Sequence, residues 1–213
     1  MWHNHSSAII EWGGEELGHN SQLDLSKFVS LAPTCIFVAH YMLSQFTKLL
    51  TMNDKFDSDA FRKACGLWAS GVSIVTTIDK AGSPFGLTMN AVSSLSLAPP
   101  MFLVCVDNNS DTLGPMLETQ IFGINMLCAS QQSISNNFAR KGVDKFGNID
   151  WYLGAFGIPV ISGALLSIEC SIYNVYEGGD HQIVCGLVKG WTSNDDDDDP
   201  LLYYRGGYQE FKR

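Results

Sequence analysis

Short apolar runs rich in β-branched residues follow one another along the chain after residue 57, which indicates strands. The run 72–78 is bounded by Gly71 and by a polar turn at 79–84, and a second strand opens at Phe85, so the two form a predicted hairpin. Further strands are predicted at residues 101–106, 122–127, 165–176 and 182–191. Because strands dominate without regular strand–helix alternation, the pattern predicts a closed antiparallel barrel.

Helical patterns are fewer, and we place them at the periphery of the barrel. Asp57 or Ser58 can cap a helix that runs through residue 67. Its apolar residues recur at helical spacing: Phe61, Ala64, Cys65 and Trp68. Two further helices are predicted at residues 112–119 and 131–140.

Residues 1–51 differ from the rest of the chain. They hold four of the five histidines and end in an apolar run, 28–50, that is interrupted by Pro33, His40, Gln45 and Lys48. These interruptions make it a poor membrane span, and the acidic segment before it is unlike a signal peptide. We expect an N-terminal extension, a tail or a loosely packed helix, with an amphipathic membrane anchor as the alternative. The domain itself is predicted at residues 52–213.

The composition and net charge of the chain limit the kinds of molecule that it can bind. A chain of 213 residues with 46% hydrophobic and 16% charged residues is long enough for one domain with a sizeable core. Its net charge of −9 argues against nucleic acid or an anionic membrane surface as the main partner. Any phosphate group must therefore be held by local contacts.

We predict no metal or redox site at the cysteines or at the run of aspartates near the C-terminus. The six cysteines form no Cys-x-x-Cys pair and do not combine with histidines, so we expect buried free thiols, a reducing cytoplasmic setting and no metal site. The five aspartates at 195–199 repel one another and predict a solvated loop. Calcium binding is the alternative there, but the spacing of a known calcium loop is missing.

The segment 86–100 is the most informative stretch. It places four hydroxyls, those of Thr88, Ser93, Ser94 and Ser96, and the amide of Asn90 in an otherwise apolar segment that ends in two prolines. Small donors at a strand edge fill a core badly, but they allow a flat polar ligand to approach closely. This composition favours a flavin site.

Other nucleotide motifs are missing from the sequence. No Gly-x-Gly occurs, so neither a Rossmann fingerprint nor a phosphate-binding P-loop is predicted. His181 is the single histidine after residue 40, in a Glu-Gly-Gly-Asp-His turn between two long predicted strands. It is either a surface histidine of that turn or a group that hydrogen-bonds a carboxamide or phosphate at a pocket mouth.

Several short motifs occur together in one order over residues 56–208. They are Phe61-Arg62, the GVSIVTT run at 71–77, the segment 86–100, residues 125–127, the DKF and IDW runs at 144–151, Gly179-Asp180-His181 and PLLYYRGGY at 200–208. Each is weak alone, but the ordered set resembles the small flavin reductase components of two-component flavin-dependent monooxygenases. The resemblance covers nearly the whole predicted domain.

The resemblance implies a mainly β fold: an antiparallel, Greek-key-like, FMN-binding split β-barrel with peripheral α-helices. It also implies a homodimer that binds FMN or FAD and accepts a hydride from NADH or NADPH. In that reading, the segment lying along the flavin includes Thr88, Asn90, Ala91, Val92, Ser93 and Ser94.

The remaining site residues also follow from the resemblance. The strand and loop near the ribityl phosphate contain Cys105, Val106, Asp107, Ser110 and Thr112. Relatives often carry a basic residue in this loop, where this chain has asparagines and aspartates. His181, the implied catalytic residue, would contact the nicotinamide nucleotide. The C-terminal strand flanking it contributes Tyr204, Arg205, Gly207 and Tyr208.

The function expected from these observations is NAD(P)H:flavin oxidoreduction that supplies reduced flavin to a separate monooxygenase. Three alternatives stay open at this point. The chain could bind flavin without turnover, or it could reduce a ferric chelate or a cob(II)alamin through flavin. It could also be a non-catalytic interaction module that uses residues 1–51.

Overall fold

The computed structural model describes residues 56–142, 144–194 and 198–212. The predicted extension at 1–51 lies outside the described residues, as do three of the five aspartates predicted to form a solvated loop. Within these ranges, none of the helices has the length and apolar character needed to cross a membrane.

The described residues contain twelve strands, three α-helices and one 3-10 helix. The strands are β1 (Ser70–Gly71), β2 (Ser73–Ile78), β3 (Pro84–Met89), β4 (Val92–Leu97), β5 (Pro100–Asp107), β6 (Ile121–Met126), β7 (Trp151–Leu153), β8 (Pro159–Ile161), β9 (Leu166–Gly178), β10 (His181–Ser193), β11 (Leu202–Tyr204) and β12 (Gly207–Gln209). The helices are α1 (Ser58–Cys65), α2 (Leu113–Thr119) and α3 (Gln132–Phe138), with the 3-10 helix Ala129–Gln131 directly before α3.

Seven strands form one antiparallel sheet in the order β3-β2-β6-β9-β10-β5-β4. Its edge strands, β3 and β4, are consecutive in the chain and are joined by only Asn90 and Ala91. Three peptide units span at most about 11 Å, so the sheet must curl until its two edges meet at this point. The mainly β, antiparallel prediction is confirmed, and the barrel is split between β3 and β4.

Two hydrophobic clusters form the core, and β2 separates them. Successive side chains of a strand point to opposite faces, so Ile74 packs in one cluster and Val75 in the other. One cluster is built on β4–β6, β9, β10 and α2; the other joins α3, the 146–161 region and the C-terminal segment around Leu201. This explains why β2 is buried along nearly its whole length.

Asn125 connects four strands inside the core. Its Nδ2 donates to the carbonyl oxygen of Ile74 and to Thr76 Oγ1, both at 3.2 Å. Its Oδ1 accepts from the amide of Ile161 at 2.9 Å and from Ser167 Oγ at 2.8 Å. All four hydrogen-bonding positions of the buried amide are therefore used, as burial requires.

The structure departs from the predicted elements in three places. Helix α1 is capped by Asp57, which accepts from the amides of Asp59 and Ala60 at 3.0 Å, but the helix ends at Cys65 and none of its residues is buried. The predicted helix at 131–140 is a 3-10 turn followed by the shorter α3. The two long strands, β9 and β10, are longer than predicted, and β10 begins at His181 itself.

Candidate functional site

The hydroxyl-rich segment forms one wall at the split in the barrel. Asn90 and Ala91 make the link between β3 and β4, and the Cys105 amide donates to the Ala91 carbonyl oxygen at 3.0 Å. Beyond them, Val92 pairs with Val104, and a bulge between Ser94 and Ser96 turns β4. This backbone pairing leaves the side chains of Asn90, Ser93 and Ser94 exposed.

A groove of about 470 Å³ runs along this wall. Four residues predicted to lie along a flavin line it together: Asn90, Val92, Ser93 and Ser94. The other lining residues come from the segment before and within β2, from β5, from the end of β6, from the residue before β9 and from the C-terminal segment: Trp68, Ser70, Gly71, Val72, Ser73, Phe102, Met126, Leu127, Leu165, Pro200 and Leu201. None of these residues is charged, so the groove suits a flat, neutral, partly apolar ring.

Ser70 supplies an additional observation in this groove. Its Oγ is buried and has no hydrogen-bond partner among the described residues. A buried hydroxyl without a partner is costly, and such groups are rare in native structures. Ser70 lines the groove, so a change of its side-chain rotamer would bring this hydroxyl to the hydrogen-bonding edge of a ligand there. Ser70 was not predicted from the sequence, because a serine before a glycine at a strand start is typical of an ordinary turn.

Thr88 and Tyr208 lie beside the groove and already have partners. Thr88 Oγ1 donates to the Ser135 carbonyl oxygen at 2.6 Å. The Tyr208 hydroxyl lies 2.8 Å from Ser135 Oγ and donates to Asn136 Oδ1 at 3.0 Å. Both residues line a smaller cavity that also contains Asn90. These hydrogen bonds fix α3 against β3 and β12.

Cys105, Val106 and Asp107 form the end of β5, next to β10. Val106 is completely buried in the core, so neither its side chain nor its backbone is exposed to a ligand. Burial, and then the nearby Cys185, raise the pKa of the Cys105 thiol. The amide of Asn109 donates to Asp107 Oδ1 at 2.7 Å, and this hydrogen bond is the main cause that lowers the pKa of Asp107.

His181 lies opposite Asp107, because these two residues pair in the β5–β10 ladder. Its Nδ1 is 2.7 Å from Asp180 Oδ1. An ionised carboxylate only accepts hydrogen bonds, so Nδ1 carries the hydrogen and Nε2 is left for another partner. The Asn108 amide donates to the Asp180 carbonyl oxygen at 3.0 Å, which ties the histidine turn to the loop after β5.

The loop after β5 folds on itself. The Ser110 amide donates to the Asp107 carbonyl oxygen at 2.9 Å, and Ser110 Oγ accepts from the Thr112 amide at 3.3 Å. Thr112 is buried and lines a cavity with Lys145. Lys145 belongs to the Asp-Lys-Phe run of the sequence but was not predicted as a site residue. Its Nζ donates to the Gly86 carbonyl oxygen at 2.8 Å, and burial is the main cause that lowers its pKa.

Tyr204, Arg205 and Gly207 belong to the β11–β12 hairpin. Arg205 and Gly206 form its turn with φ of 52° and 79°, the left-handed conformation that tight hairpins require. The guanidinium of Arg205 lies 5.3 Å from the centre of the Tyr204 ring. Arg205 shares a second cavity with Asn90 and Trp68.

The structure thus brings part of the predicted site together. Asn90 borders the groove and both neighbouring cavities, so it connects the hydroxyl-rich wall with Arg205, Thr88 and Tyr208. His181 and Ser110 line none of these three spaces within the described residues. Each of them lies instead next to Asp107, His181 as its pairing partner in the β5–β10 ladder and Ser110 through a backbone hydrogen bond. The described residues also contain no cluster of His, Cys, Asp or Glu suited to a metal ion.

Several proteins named as flavin reductases or reductase subunits are similar in sequence to this chain. A probable flavin reductase of Rhizobium meliloti is 41% identical over 153 residues, which are 72% of this chain and 49% of that protein. The reductase subunit HsaB of a flavin-dependent monooxygenase from Rhodococcus jostii is 37% identical over 155 residues, 73% of this chain and 78% of that protein. This chain therefore spans about half the length of the first of these relatives.

Solved structures agree with the fold. An NADH:FAD oxidoreductase of Streptomyces globisporus, in complex with NAD and FAD fragments, superposes with a TM-score of 0.70 at 34% identity, covering 73% of this chain and 93% of that one. The family model described as a flavin reductase like domain matches residues 65–212. The match starts at the last residue of α1 and takes in the split barrel, the groove and the C-terminal hairpin, so the chain belongs to the flavin reductase-like domain family.

Proposed function

We propose that this chain is an NAD(P)H:flavin oxidoreductase whose groove at the barrel split receives the flavin ring. The observation that carries the proposal is the uncharged groove lined by Asn90, Ser93 and Ser94, with the unpartnered Ser70 hydroxyl inside it. When bound there, FMN or FAD supplies an acceptor for the hydride of NADH or NADPH, giving reduced flavin and the oxidised nicotinamide.

The groove residues fit that role chemically. Small hydroxyls and backbone amides supply neutral donors where negative charge develops on reduction. The apolar side chains of Met126, Leu127 and Leu165 exclude water from the opposite wall. Because none of the groove residues is a general acid or base, rate acceleration must come mainly from positioning of the two rings.

We assign His181 to the nicotinamide nucleotide, with Asp180 as its positioning residue. The contact between Asp180 and Nδ1 holds the ring and presents Nε2, which can bind a carboxamide. The turn is fixed by Asn108, whose Oδ1 also accepts from Gln182 Nε2 at 3.0 Å. His181 and Arg205 border no common cavity among those of the described residues, which is compatible with a site that a second copy of the chain completes.

For this reason we propose a homodimer. The apolar side chains of β4 support it, since Leu97 is 95% exposed and Leu95 is 47% exposed on an edge strand next to the groove. Light scattering after size exclusion should give a molar mass twice that of the chain. The Leu97→Lys variant should give a lower molar mass, because a charge on the exposed face of β4 opposes pairing. A monomer mass for the parent protein would contradict the proposal.

The product of the reaction would serve a separate monooxygenase in the cytoplasm. The monooxygenase reductase subunits among the relatives support this partner class. The five cysteines of the described residues are all free, as expected of a reducing compartment. Oxygenase activity that depends on adding this chain, NADH and flavin would test the partner.

Ser70→Ala tests the site itself. Removing an unpartnered buried hydroxyl should leave the free energy of unfolding unchanged or slightly raise it, because no internal hydrogen bond is lost. Flavin affinity should fall by roughly three- to tenfold, the value of one neutral hydrogen bond. Quenching of flavin fluorescence measures the affinity, and Ser133→Ala, an exposed serine of α3, is the matched control.

Blocking the groove gives a stronger effect. Ser94→Phe places a ring in the groove at an exposed position and should abolish flavin binding without unfolding the barrel. Ser133→Phe should bind flavin normally. Normal flavin binding by both Ser70→Ala and Ser94→Phe would show that the flavin site lies elsewhere. A bound flavin that NADH and NADPH never reduce would instead favour a flavin-binding protein without turnover.

A further inference from the structure

Ser135 is a buried serine of α3 that was not predicted as a site residue. It borders the cavity of about 200 Å³ beside the flavin groove, together with Thr88, Asn90 and Tyr208. Asn90 and Val72 border both this cavity and the groove. Because Ser135 has no exposed surface, any effect that it has on a ligand must act through the residues that it holds.

The side chain of Ser135 holds Tyr208. Its Oγ lies 2.8 Å from the Tyr208 hydroxyl, which itself donates to Asn136 Oδ1 at 3.0 Å. A hydroxyl has a single hydrogen, so Ser135 is the donor of the shorter hydrogen bond. The Tyr208 ring also packs edge-on against the Tyr203 ring, with centroids 5.5 Å apart. The tyrosine is therefore held both at its hydroxyl and at its ring.

The backbone of Ser135 holds β3. Its carbonyl oxygen accepts from Thr88 Oγ1 at 2.6 Å and from the Ala139 amide at 3.1 Å. Both acceptor positions of this carbonyl are therefore used, one by the helix and one by the strand. Thr88 lies two residues before Asn90, so the contact fixes the strand close to the groove.

A second contact between α3 and β3 lies one step earlier along the strand. A Cβ on Gly86 would lie 2.8 Å from Phe138 Cε1, so the helix packs directly against the strand backbone. Gly86 and Thr88 share a face of β3, because alternate residues of a strand point the same way. Asn90 follows them at the same spacing, directly after the strand ends. The helix thus covers the strand up to the residue that borders the groove.

We propose that Ser135 is a positioning residue for the flavin site. Its hydroxyl holds Tyr208 and its carbonyl holds Thr88, so the wall that ends at Asn90 has one arrangement before a flavin enters. A site that is already ordered binds its ligand more tightly, because less conformational freedom is lost on binding. The inference rests on the proposed function for the identity of the ligand.

The Ser135→Ala variant tests the role of the hydroxyl. It removes the donor to Tyr208 and keeps the carbonyl that binds Thr88. The affinity for FMN or FAD, measured by quenching of flavin fluorescence, should fall by about three- to tenfold, the value of one neutral hydrogen bond. If Ser135→Ala does not fold, Ser135→Cys is used instead. Cysteine is a weak donor, so the affinity should fall in the same direction.

A double-mutant cycle tests whether Ser135 acts through Tyr208. Tyr208→Phe removes the acceptor of the same hydrogen bond and should also weaken flavin binding. In the Tyr208→Phe background, Ser135→Ala should cause no further loss of flavin affinity, because the bond is already missing.

Thr77→Val is the matched control for a purely structural loss. Thr77 is completely buried, its Oγ1 donates to the Ile121 carbonyl oxygen at 2.7 Å, and it does not border the groove or the cavities described above. Urea unfolding should show a lower free energy of unfolding for both Thr77→Val and Ser135→Ala. Flavin affinity should fall in Ser135→Ala and stay unchanged in Thr77→Val.

Three outcomes would overturn the inference. Unchanged flavin affinity in Ser135→Ala would limit this residue to a structural role. An equal loss with and without the Tyr208 hydroxyl would show that Ser135 does not act through Tyr208. In both cases a parent chain that reduces flavin keeps the proposed function. A parent chain that binds neither FMN nor FAD would instead reject the proposed function together with the inference.

Discussion

Asn125→Ala removes the amide that connects four strands at one point of the core. Two buried donors lose their acceptor: the Ile161 amide, formerly 2.9 Å from Oδ1, and the Ser167 hydroxyl, formerly 2.8 Å away. Thr76 Oγ1 keeps its hydrogen bond to the Pro159 carbonyl oxygen at 2.6 Å, so it adds little to the loss.

The expected destabilisation follows from these two donors. An unpaired buried donor costs about 1–3 kcal/mol, so two cost about 2–6 kcal/mol. The Ser167 hydroxyl can rotate, which places the expected value at about 2–4 kcal/mol. Domains of this kind are stable by only about 5–15 kcal/mol, so the variant loses a large fraction of its stability.

Urea unfolding followed by tryptophan fluorescence measures this loss. Asn174→Ala is the matched control, because Asn174 is exposed and its hydrogen bonds to Tyr176 and Val175 are local; it should change stability by less than about 0.5 kcal/mol. The fraction of Asn125→Ala that stays folded should still bind flavin, since the amide lies in the core and not in the groove. Equal destabilisation by the two variants would show that the buried hydrogen bonds of Asn125 do not account for the loss.

Three other predictions concern the turn that contains Asp180, the buried thiol of Cys170 and the close packing at Gly186. Asp180→Asn should raise KM for NADH several-fold and leave the KM for flavin unchanged, because the neighbouring histidine loses its positioning carboxylate. Burial and then the nearby Glu169 raise the pKa of Cys170 to about 12, so the unfolded chain releases this proton first as pH rises above about 8.5. The stability advantage of wild type over Cys170→Ala should therefore shrink by about 2 kcal/mol between pH 8 and pH 10. Gly186→Ala should cost about 1–3 kcal/mol, because its Cβ would overlap the buried Phe122 ring.

Each of these predictions has a control. For the turn, Asp79→Asn changes a carboxylate that caps the turn between β2 and β3 and lines none of the cavities described above, so it should leave both KM values unchanged. For the thiol, a stability difference that does not vary with pH would contradict the pKa argument. For the glycine, Gly114→Ala is matched, since its Cβ would meet no atom within 4 Å; comparable losses at both positions would show that overlap is not the cause.

Local sequence patterns predicted the elements that are determined mainly by residues close together in the chain. The strand β2 and the cap at Asp57 were predicted because β-branched runs and side-chain caps act over a few residues. The small strands β7 and β8 and the exact end of α1 were missed, because their stability depends on contacts with distant segments.

The site was predictable only in part for the same reason. The hydroxyl-rich wall follows from composition, since serines in an apolar strand have few structural uses. Ser70 is an ordinary residue in the sequence, and it lines the groove only because the folded barrel brings the segment before β2 beside Asn90.

The most direct test of the reductase function is oxidation of NADH and NADPH by the purified chain, followed at the nicotinamide absorbance band with and without added FMN or FAD. At least one donor should be consumed only when flavin is present, and Ser94→Phe should abolish this consumption. Absence of flavin-dependent consumption with both donors and both flavins would contradict it.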